Sequence, residues 1–436
     1  MSDPPAPTRR TYAAAALGVA AFVAYASWVP FTFHAVPWDA ATDAFARCMT
    51  GRAAVTSRSD GLVNVLVAVP LGYALLGACR ADRGGVKGDV AAGLALLPAC
   101  LGLAVGVEFG QVFIPSRTCA GSDVWCQGVG AALGMALWVG AGRTLTAHAR
   151  VVWGRTHAAG AAGRLLPAYL ALLAVIQALP LDLTPGPKDL YKKVRDEARF
   201  VPLGEFRGAD GDGAWAAAAK ILKLAGLYLP AGLLAARLPG RFWASGPRVA
   251  LAAVGLGVAL ESIQVAVHSR TPAATDALAG AAGAVVGWAI GRRWRGGVGP
   301  GAALGFGTLW AAALLAAYWE PFHFRDPPGA FDWLPGMPLE SGNPLSALEE
   351  MLTKLVLFAP AGVLVAATCG CRGGWVVAAA AGGIVSAVIE VGQLYLRTHT
   401  PCVTDVLLGG VGAVAGAWAA GRVSEAGGGT FRPGVY

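Results

Sequence analysis

The residues best suited to chemistry in this chain recur three times with the same spacing. Each copy has a glutamate, then a glutamine three positions later, a basic residue nine positions after the glutamate, and an aspartate fifteen positions after it. The copies are Glu108, Gln111, Arg117 and Asp123; Glu261, Gln264, Arg270 and Asp276; and Glu390, Gln393, His399 and Asp405. Three copies at fixed spacing indicate an internal repeat, so we expect one structural unit to occur three times.

Each copy combines hydrogen-bond donors and acceptors that could bind a polar ligand. On a helix, the glutamate and the glutamine lie on one face because they are three positions apart. A polar residue of a neighbouring helix is predicted to pair with each glutamate: Asn64 with Glu108, Lys223 with Glu261, and Lys354 with Glu390. The aspartate could cap the helix that follows it through a side-chain oxygen.

A purely structural interpretation of the same side chains stays open. In it, the aspartate is only a helix cap, the basic residue anchors at the membrane surface, and the glutamate and glutamine only join helices. Ionisable residues inside a membrane more often mark a ligand site or a proton relay, because burying them there is costly. We therefore predict that the twelve repeated residues, with Asn64, Lys223 and Lys354, form a site for a polar ligand.

The composition excludes an ordinary soluble protein. Apolar residues make up 56% of the 436 positions and charged residues 14%, against roughly 25% charged residues in soluble domains. The 61 glycines suit helices that pack closely in lipid. The net charge of +8 is explained by arginine-rich cytoplasmic loops, so no nucleic-acid partner is expected.

Twelve apolar stretches approach the twenty residues needed to cross a bilayer. They predict an all-α polytopic transmembrane protein with spans near residues 11–31, 60–79, 91–113, 122–143, 164–182, 215–236, 248–267, 274–291, 302–320, 347–368, 374–396 and 403–421. The spans group into three four-helix units, residues 1–155, 156–298 and 299–436. The second helix of each unit contains Pro-x-Gly, at Pro70, Pro230 and Pro360.

Basic residues lie in every second connection, as in Arg9 and Arg10 before the first helix and Arg292 and Arg293 after the eighth. Cytoplasmic loops of membrane proteins carry an excess of lysine and arginine. We therefore predict an integral plasma (inner) membrane protein with both termini in the cytoplasm. The turns between each repeated glutamine and aspartate then face outward.

The order of these motifs resembles the VanZ-like family of integral membrane proteins. In the first unit it reads Asn64-x5-Pro70-x-Gly72, then Glu108-x2-Gln111-x5-Arg117, then Asp123-x3-Gln127-x2-Gly130-x3-Gly134. Because the resemblance covers most of each unit, it implies three VanZ-like domains in tandem. It also implies an envelope protein associated with low-level resistance to glycopeptide antibiotics of the teicoplanin type.

Three functions are compatible with these residues. The first is a non-enzymatic envelope protein that binds a polar headgroup of a membrane lipid, a lipid-linked molecule or a glycopeptide at the outer face. The second is a transporter in which Glu108, Glu261 and Glu390 are proton or substrate sites. The third is an enzyme acting on a lipid-linked sugar, which is least favoured because no nucleophile–base pair is visible.

Other sites receive less support from the sequence. The chain contains no P-loop, and its histidines lack metal-ligand spacing, so neither a cofactor nor a metal is expected. Cys48, Cys119, Cys126 and Cys402 are predicted to face outward, where disulfides form. Cys119 could pair with Cys48 or with Cys402, because spacing does not fix connectivity.

Overall fold

A computed structural model describes residues 7–29, 31–50, 58–183, 186–207, 209–294, 298–333, 335, 344–369 and 374–426. Its α-helices are α1 (Arg9–Trp28), α2 (Trp38–Thr50), α3 (Arg58–Arg80), α4 (Val86–Gln111), α5 (Gly121–Leu137), α6 (Arg143–Ala158), α7 (Gly160–Ala178), α8 (Pro187–Lys192), α9 (Gly211–Ala235), α10 (Gly246–Gln264), α11 (Ala274–Arg293), α12 (Pro300–Trp319), α13 (Pro344–Cys369), α14 (Gly374–Gln393) and α15 (Val403–Ala426). One turn of π-helix, Trp138–Gly142, joins α5 to α6.

Among the residues that the structure describes, twelve helical segments are long and apolar enough to cross a membrane. They coincide with the twelve predicted spans, so the all-α polytopic prediction is confirmed. Their ends follow local chemistry. Thr8 and Thr11 form a reciprocal capping box at the start of α1, and the side chain of Asp210 accepts from Gly213 N at 2.8 Å to begin α9, which satisfies backbone donors that a helix start leaves open.

The chain divides into two compact units. The first comprises Met1–Thr156 with Leu181–Pro187, and the second comprises His157–Pro180 with Lys188–Tyr436. Leu76 and Trp138 are buried in the core of the first unit, and Leu173, Tyr228 and Phe358 in the core of the second. The division into three units of four helices stays a prediction.

The helices that carry Pro-x-Gly pack directly on the helices that begin near the repeated aspartates. A Cβ on Gly72 of α3 would lie 2.0 Å from the carbonyl oxygen of Ala131 in α5. The same close approach occurs between α9 and α11, where a Cβ on Gly232 would lie 1.9 Å from Ala284 O. It also occurs between α13 and α15, where a Cβ on Gly362 would lie 1.6 Å from Ala413 O. Glycine is required at these positions because main chain meets main chain.

Three connecting turns, residues 112–120, 265–273 and 394–402, lead from α4 to α5, from α10 to α11 and from α14 to α15. The segment after the first helix of each predicted unit lies against one of them. Cys48 of α2 forms a disulfide with Cys119. Arg199 pairs with Ala273, and Asp332 pairs with Cys402, through isolated backbone bridges. These contacts hold the polar residues of each turn in place.

Candidate functional site

Each repeated glutamate binds the start of the helix that follows it. Glu108 Oε2 accepts a hydrogen bond from Ala120 N at 2.9 Å, and Glu261 Oε2 accepts one from Ala273 N at 3.0 Å. Glu390 Oε2 likewise accepts one from Cys402 N at 2.9 Å. The three donors directly precede α5, α11 and α15, where a helix has open N–H groups and a partial positive charge. A buried carboxylate is therefore stabilised there.

The repeated glutamines support the same turns. Gln264 Nε2 donates to Glu261 Oε1 at 3.3 Å. With its amide nitrogen facing the acceptors, Gln111 donates to Glu108 Oε2 and to Thr118 O, both at 3.1 Å. Gln393 differs, because its Nε2 donates to Tyr318 O at 3.1 Å.

The partners predicted for the glutamates are wrong. Asn64 Oδ1 accepts from Gln127 Nε2 at 3.3 Å instead of binding Glu108. The ammonium of Lys223 lies 4.6 Å from the ring centroid of Tyr318 instead of pairing with Glu261. Lys354 pairs with Asp405 and, at 3.3 Å, with Glu350 instead of Glu390. Each glutamate instead accepts a hydrogen bond from a backbone N–H, and its predicted partner contacts another residue.

The aspartates are also placed differently from the prediction. Asp123 and Asp276 are the third residues of α5 and α11, and the N-cap positions are alanines whose side chains make no cap hydrogen bond. The predicted capping role is therefore corrected: the N-cap lies three residues earlier, at Ala120 and at Ala273. Asp276, with 3% of its surface exposed, pairs through Oδ2 with Lys220 Nζ at 2.6 Å, and Asp405 pairs with Lys354.

The arginines of the turns bind main-chain carbonyls at the end of a preceding helix. Arg117 Nε donates to Val29 O at 2.7 Å and its Nη2 to Ala26 O at 3.2 Å. Arg270 donates from Nε and Nη2 to Leu179 O, both at 3.2 Å, and also pairs with Glu349. These bonds satisfy carbonyls that a helix end leaves open. The recurrence of arginine at this position is therefore explained in part by a structural role.

His399 occupies the arginine position of the third turn. Its Nδ1 lies 2.9 Å from Thr398 Oγ1. Burial lowers the pKa of the imidazole, and the positive charges of Lys223 and Lys354 lower the pKa further. The ring is therefore neutral at neutral pH, unlike the guanidinium that it replaces.

A cavity of about 460 Å³ lies within the second compact unit. Its polar wall includes Glu205, Lys220, Lys223, Arg270 and Asp276. Lys220 Nζ lies 3.6 Å from Glu205 Oε1, so it bridges Glu205 and Asp276. The cavity thus brings together four of the predicted site residues: Lys223, Gln264, Arg270 and Asp276.

The sequence did not predict that Glu205 belongs to this cavity. Glu205 follows α8 in the segment between α7 and α9, which reads as a solvated, mixed-charge connector. The structure instead folds that segment onto the turn: Lys193, with 2% of its surface exposed, donates to Val267 O and, at 3.2 Å, to His268 O. The available signal was its length, because long connections in compact proteins are often functional.

Glu390, Cys402 and Asp405 form a second polar group, in which one ligand atom of each lies within 4.8 Å of the others. Such a spacing is compatible with a metal ion. However, Asp405 is already paired with Lys354, and burial raises the pKa of the Cys402 thiol to about 11. The contact of Asp405 with Lys354 supports an ion pair at this place.

The role of the glutamates can be tested by comparing Glu390→Leu with Glu390→Gln. We expect Glu390→Leu to lower the free energy of unfolding by about 1–3 kcal/mol, because the N–H of Cys402 loses its acceptor in a buried place. Glu390→Gln should cost less, since its amide oxygen can still accept that bond. Denaturation in mixed micelles, followed by circular dichroism, measures both. Equal damage by the two substitutions would indicate that the turn needs the charge.

The disulfide settles one alternative left open by the sequence: Cys119 pairs with Cys48, whereas Cys402 is buried and forms no disulfide within the described part of the chain. Because disulfides persist outside the cytoplasm, we expect an impermeant maleimide to label Cys48 and Cys119 in intact cells only after reduction. Cys79, a free cysteine near the end of α3, should react only with a permeant reagent and is the control. Labelling of Cys48 without reductant would contradict the disulfide, and labelling of Cys79 by the impermeant reagent would contradict the orientation.

A comparison with known families gives one match. The model of the VanZ/LLP1 family matches residues 7–143 and 310–423, together more than half of the chain. These segments contain the first and third copies of the repeated residues, and the second copy lies outside them. No curated protein and no solved structure matches the chain.

Proposed function

The chain belongs to the VanZ/LLP1 family, and we propose that it is a non-enzymatic envelope protein that binds the polar headgroup of a lipid or of a glycopeptide antibiotic. The observation that carries this proposal is the cavity of about 460 Å³ in the second compact unit. Its volume falls within the 300–1,000 Å³ usual for small-molecule sites. Charged side chains converge on it from α9, α11 and the segment after α8.

The proposal includes three VanZ-like units in tandem, with the second as a divergent copy. The parallel hydrogen bonds of the three glutamates support it. So does the backbone after each first helix, because Phe31, Leu181 and Phe322 have φ angles of 65°, 62° and 63°. Leucine and phenylalanine rarely adopt this left-handed conformation, so its recurrence at corresponding positions favours a shared unit.

The proposal also includes the predicted orientation, with both termini in the cytoplasm and the connecting turns outside. The distribution of basic residues supports it. In this orientation the cavity opens toward the outer leaflet, where lipids and externally added antibiotics present their headgroups.

We assign ligand binding to Lys220, Lys223 and Asp276 of the cavity. The three repeated glutamates have a structural role. Glu108 and Glu390 are each 1% exposed and Glu261 is 8% exposed, and each is engaged by a backbone N–H. The transport hypothesis needs a glutamate that is free to exchange a proton or a substrate. The observed hydrogen bonds therefore favour binding over transport.

Antibiotic susceptibility tests the function directly. A glycopeptide-sensitive host should tolerate more antibiotic when it expresses the intact chain, and Lys220→Gln/Asp276→Asn should abolish the protection. Lys188→Gln/Asp189→Asn is the matched control, because it changes the same residue types at exposed positions of α8. Membrane levels of all proteins are matched by blotting. Equal susceptibility with and without the intact chain would overturn the antibiotic function, and equal loss in both variants would overturn the assignment to the cavity.

A further inference from the structure

We infer that the cavity of the second compact unit binds a zwitterion that joins a phosphate to a primary ammonium, as in the phosphatidylethanolamine headgroup. The inference rests on the proposed function and gives the same cavity a class of ligand. Three features of the wall carry it: two carboxylate oxygens without donors, one lysine without a paired carboxylate, and equal numbers of positive and negative side chains.

The first feature is a pair of buried acceptors. Glu205 Oε2 and Asp276 Oδ1 have no hydrogen-bond partner in the described part of the chain. Their side chains are only 6% and 3% exposed, and Lys220 contacts the opposite oxygen of each carboxylate. Buried acceptors without donors are costly. A primary ammonium brings three N–H donors on one atom, so it can satisfy the oxygens that Lys220 leaves open.

The second feature is the ammonium of Lys223. Lys223 lies three residues after Lys220, so both face the same side of α9. It contacts the ring of Tyr318 at 4.6 Å and forms no ion pair with the residues that the structure describes. The charged groups around it are Glu350, Glu320 and Lys354. A lysine without a paired anion in a largely buried place is a natural contact for a phosphate.

The third feature is the charge balance of the wall. Four basic and four acidic side chains line the cavity. A lining with equal numbers of each sign favours a ligand that carries both charges over one with a net negative charge, because each ligand charge then meets a partner. Phosphate alone, or an anionic lipid, would bring no ammonium to Glu205 Oε2 and Asp276 Oδ1, the two carboxylate oxygens without donors.

The size and the apolar part of the wall are compatible with a lipid. A volume of about 460 Å³ holds roughly fifteen water molecules at about 30 Å³ each, which leaves room for a headgroup and several waters. Ile176, Leu224 and Leu227 also line the cavity. They offer an apolar surface to the carbon atoms next to the phosphate.

Binding of short-chain lipids to the purified full-length chain in detergent tests the inference. Dihexanoyl-phosphatidylethanolamine is titrated in a calorimeter beside dihexanoyl-phosphatidylcholine, whose quaternary ammonium has no N–H, and dihexanoyl-phosphatidylglycerol, which has no ammonium. We expect the ethanolamine lipid to bind about tenfold more tightly than the choline lipid, the usual effect of losing a hydrogen bond to a charged group. Free phosphoethanolamine is titrated separately to distinguish a soluble ligand from a lipid.

Two variants test the contact with the ammonium and the contact with the phosphate separately. Glu205→Gln should weaken binding of the ethanolamine lipid about tenfold and leave the affinity for the choline lipid unchanged, because only an N–H donor uses that carboxylate. Lys223→Gln should weaken binding of both lipids by the same factor, because both carry the phosphate. Glu197→Gln and Lys192→Gln change exposed residues of the same segment and should leave both affinities unchanged. Circular dichroism confirms that each variant is folded.

The outcomes distinguish the inference from the proposed function. Equal affinity for ethanolamine and choline lipids, or unchanged affinity in the folded Glu205→Gln variant, would overturn the inference. Tightest binding of the glycerol lipid would also overturn the inference, but it would agree with the proposed function of binding a lipid headgroup. Binding of none of these probes would overturn it too, and the susceptibility assay would then decide the proposed function by itself. Binding of phosphoethanolamine as tight as that of the lipid would support the same chemistry with a soluble source.

Discussion

The substitution Gly134→Leu is expected to remove most of the folded protein from the membrane. A Cβ at Gly134 in α5 would lie 2.0 Å from Val69 O and 2.8 Å from Tyr73 N. Both atoms belong to the backbone of α3, so no side chain can move aside. The two helices would have to separate along the whole of their contact, which includes Gly130, where a Cβ would lie 2.1 Å from Val65 O. Small residues at such contacts are what lets helices associate in lipid.

Gly106→Leu is the matched control for this prediction. Gly106 lies on an exposed face of α4, and a Cβ there would meet no atom within 4 Å. The substitution adds the same side chain to a spanning helix, at a place where its Cβ meets no neighbouring helix. Detergent extraction followed by size-exclusion chromatography measures the folded fraction of each protein. Similar profiles for the two variants would show that the α3–α5 contact does not hold the fold.

The spans and the glycines could be predicted because their signals are local or periodic. Crossing a membrane needs an apolar stretch of a set length, which any single segment shows by itself. Pro-x-Gly in α3 and the glycines of α5 also stand out, since they recur at fixed offsets. The structure confirms the spans and adds the reason for the glycines, which is direct contact between backbones.

The partners of the site residues could not be predicted for a physical reason. Glu108 binds the backbone N–H of Ala120, and a backbone N–H has no sequence signature, so complementary charge pointed to side chains instead. The place of Glu205 depends on how the segment after α8 folds over the turn, and composition does not specify that path. For Cys119, the sequence does not choose between Cys48 and Cys402, because pairing depends on which of them the fold brings close, and the fold places Cys48 beside it.

The second large effect is expected at Asp89, in the first turn of α4. Its side chain is 1% exposed and pairs with Arg80 Nε at 2.7 Å and with Arg143. Asp89→Ala should lower the free energy of unfolding by about 3–5 kcal/mol, because it leaves buried positive charge without a partner. Denaturation of the purified chain in mixed micelles measures the change. The region offers its own control: Asp82 pairs with Arg150 at 2.5 Å, but the two side chains are 49% and 29% exposed, so Asp82→Ala should cost about 0–1 kcal/mol.

A second substitution identifies the source of the loss at Asp89. Arg143 is 43% exposed and can be hydrated without its partner, whereas Arg80 is 14% exposed and cannot. Adding Arg80→Met to Asp89→Ala should therefore recover part of the lost stability, since an apolar side chain in place of an unpaired buried charge removes its desolvation cost. Further loss in the double variant would contradict this account. It would mean that the bond from Arg80 Nη2 to Gly84 O, 2.9 Å long, matters more to this end of α3 than the ion pair does.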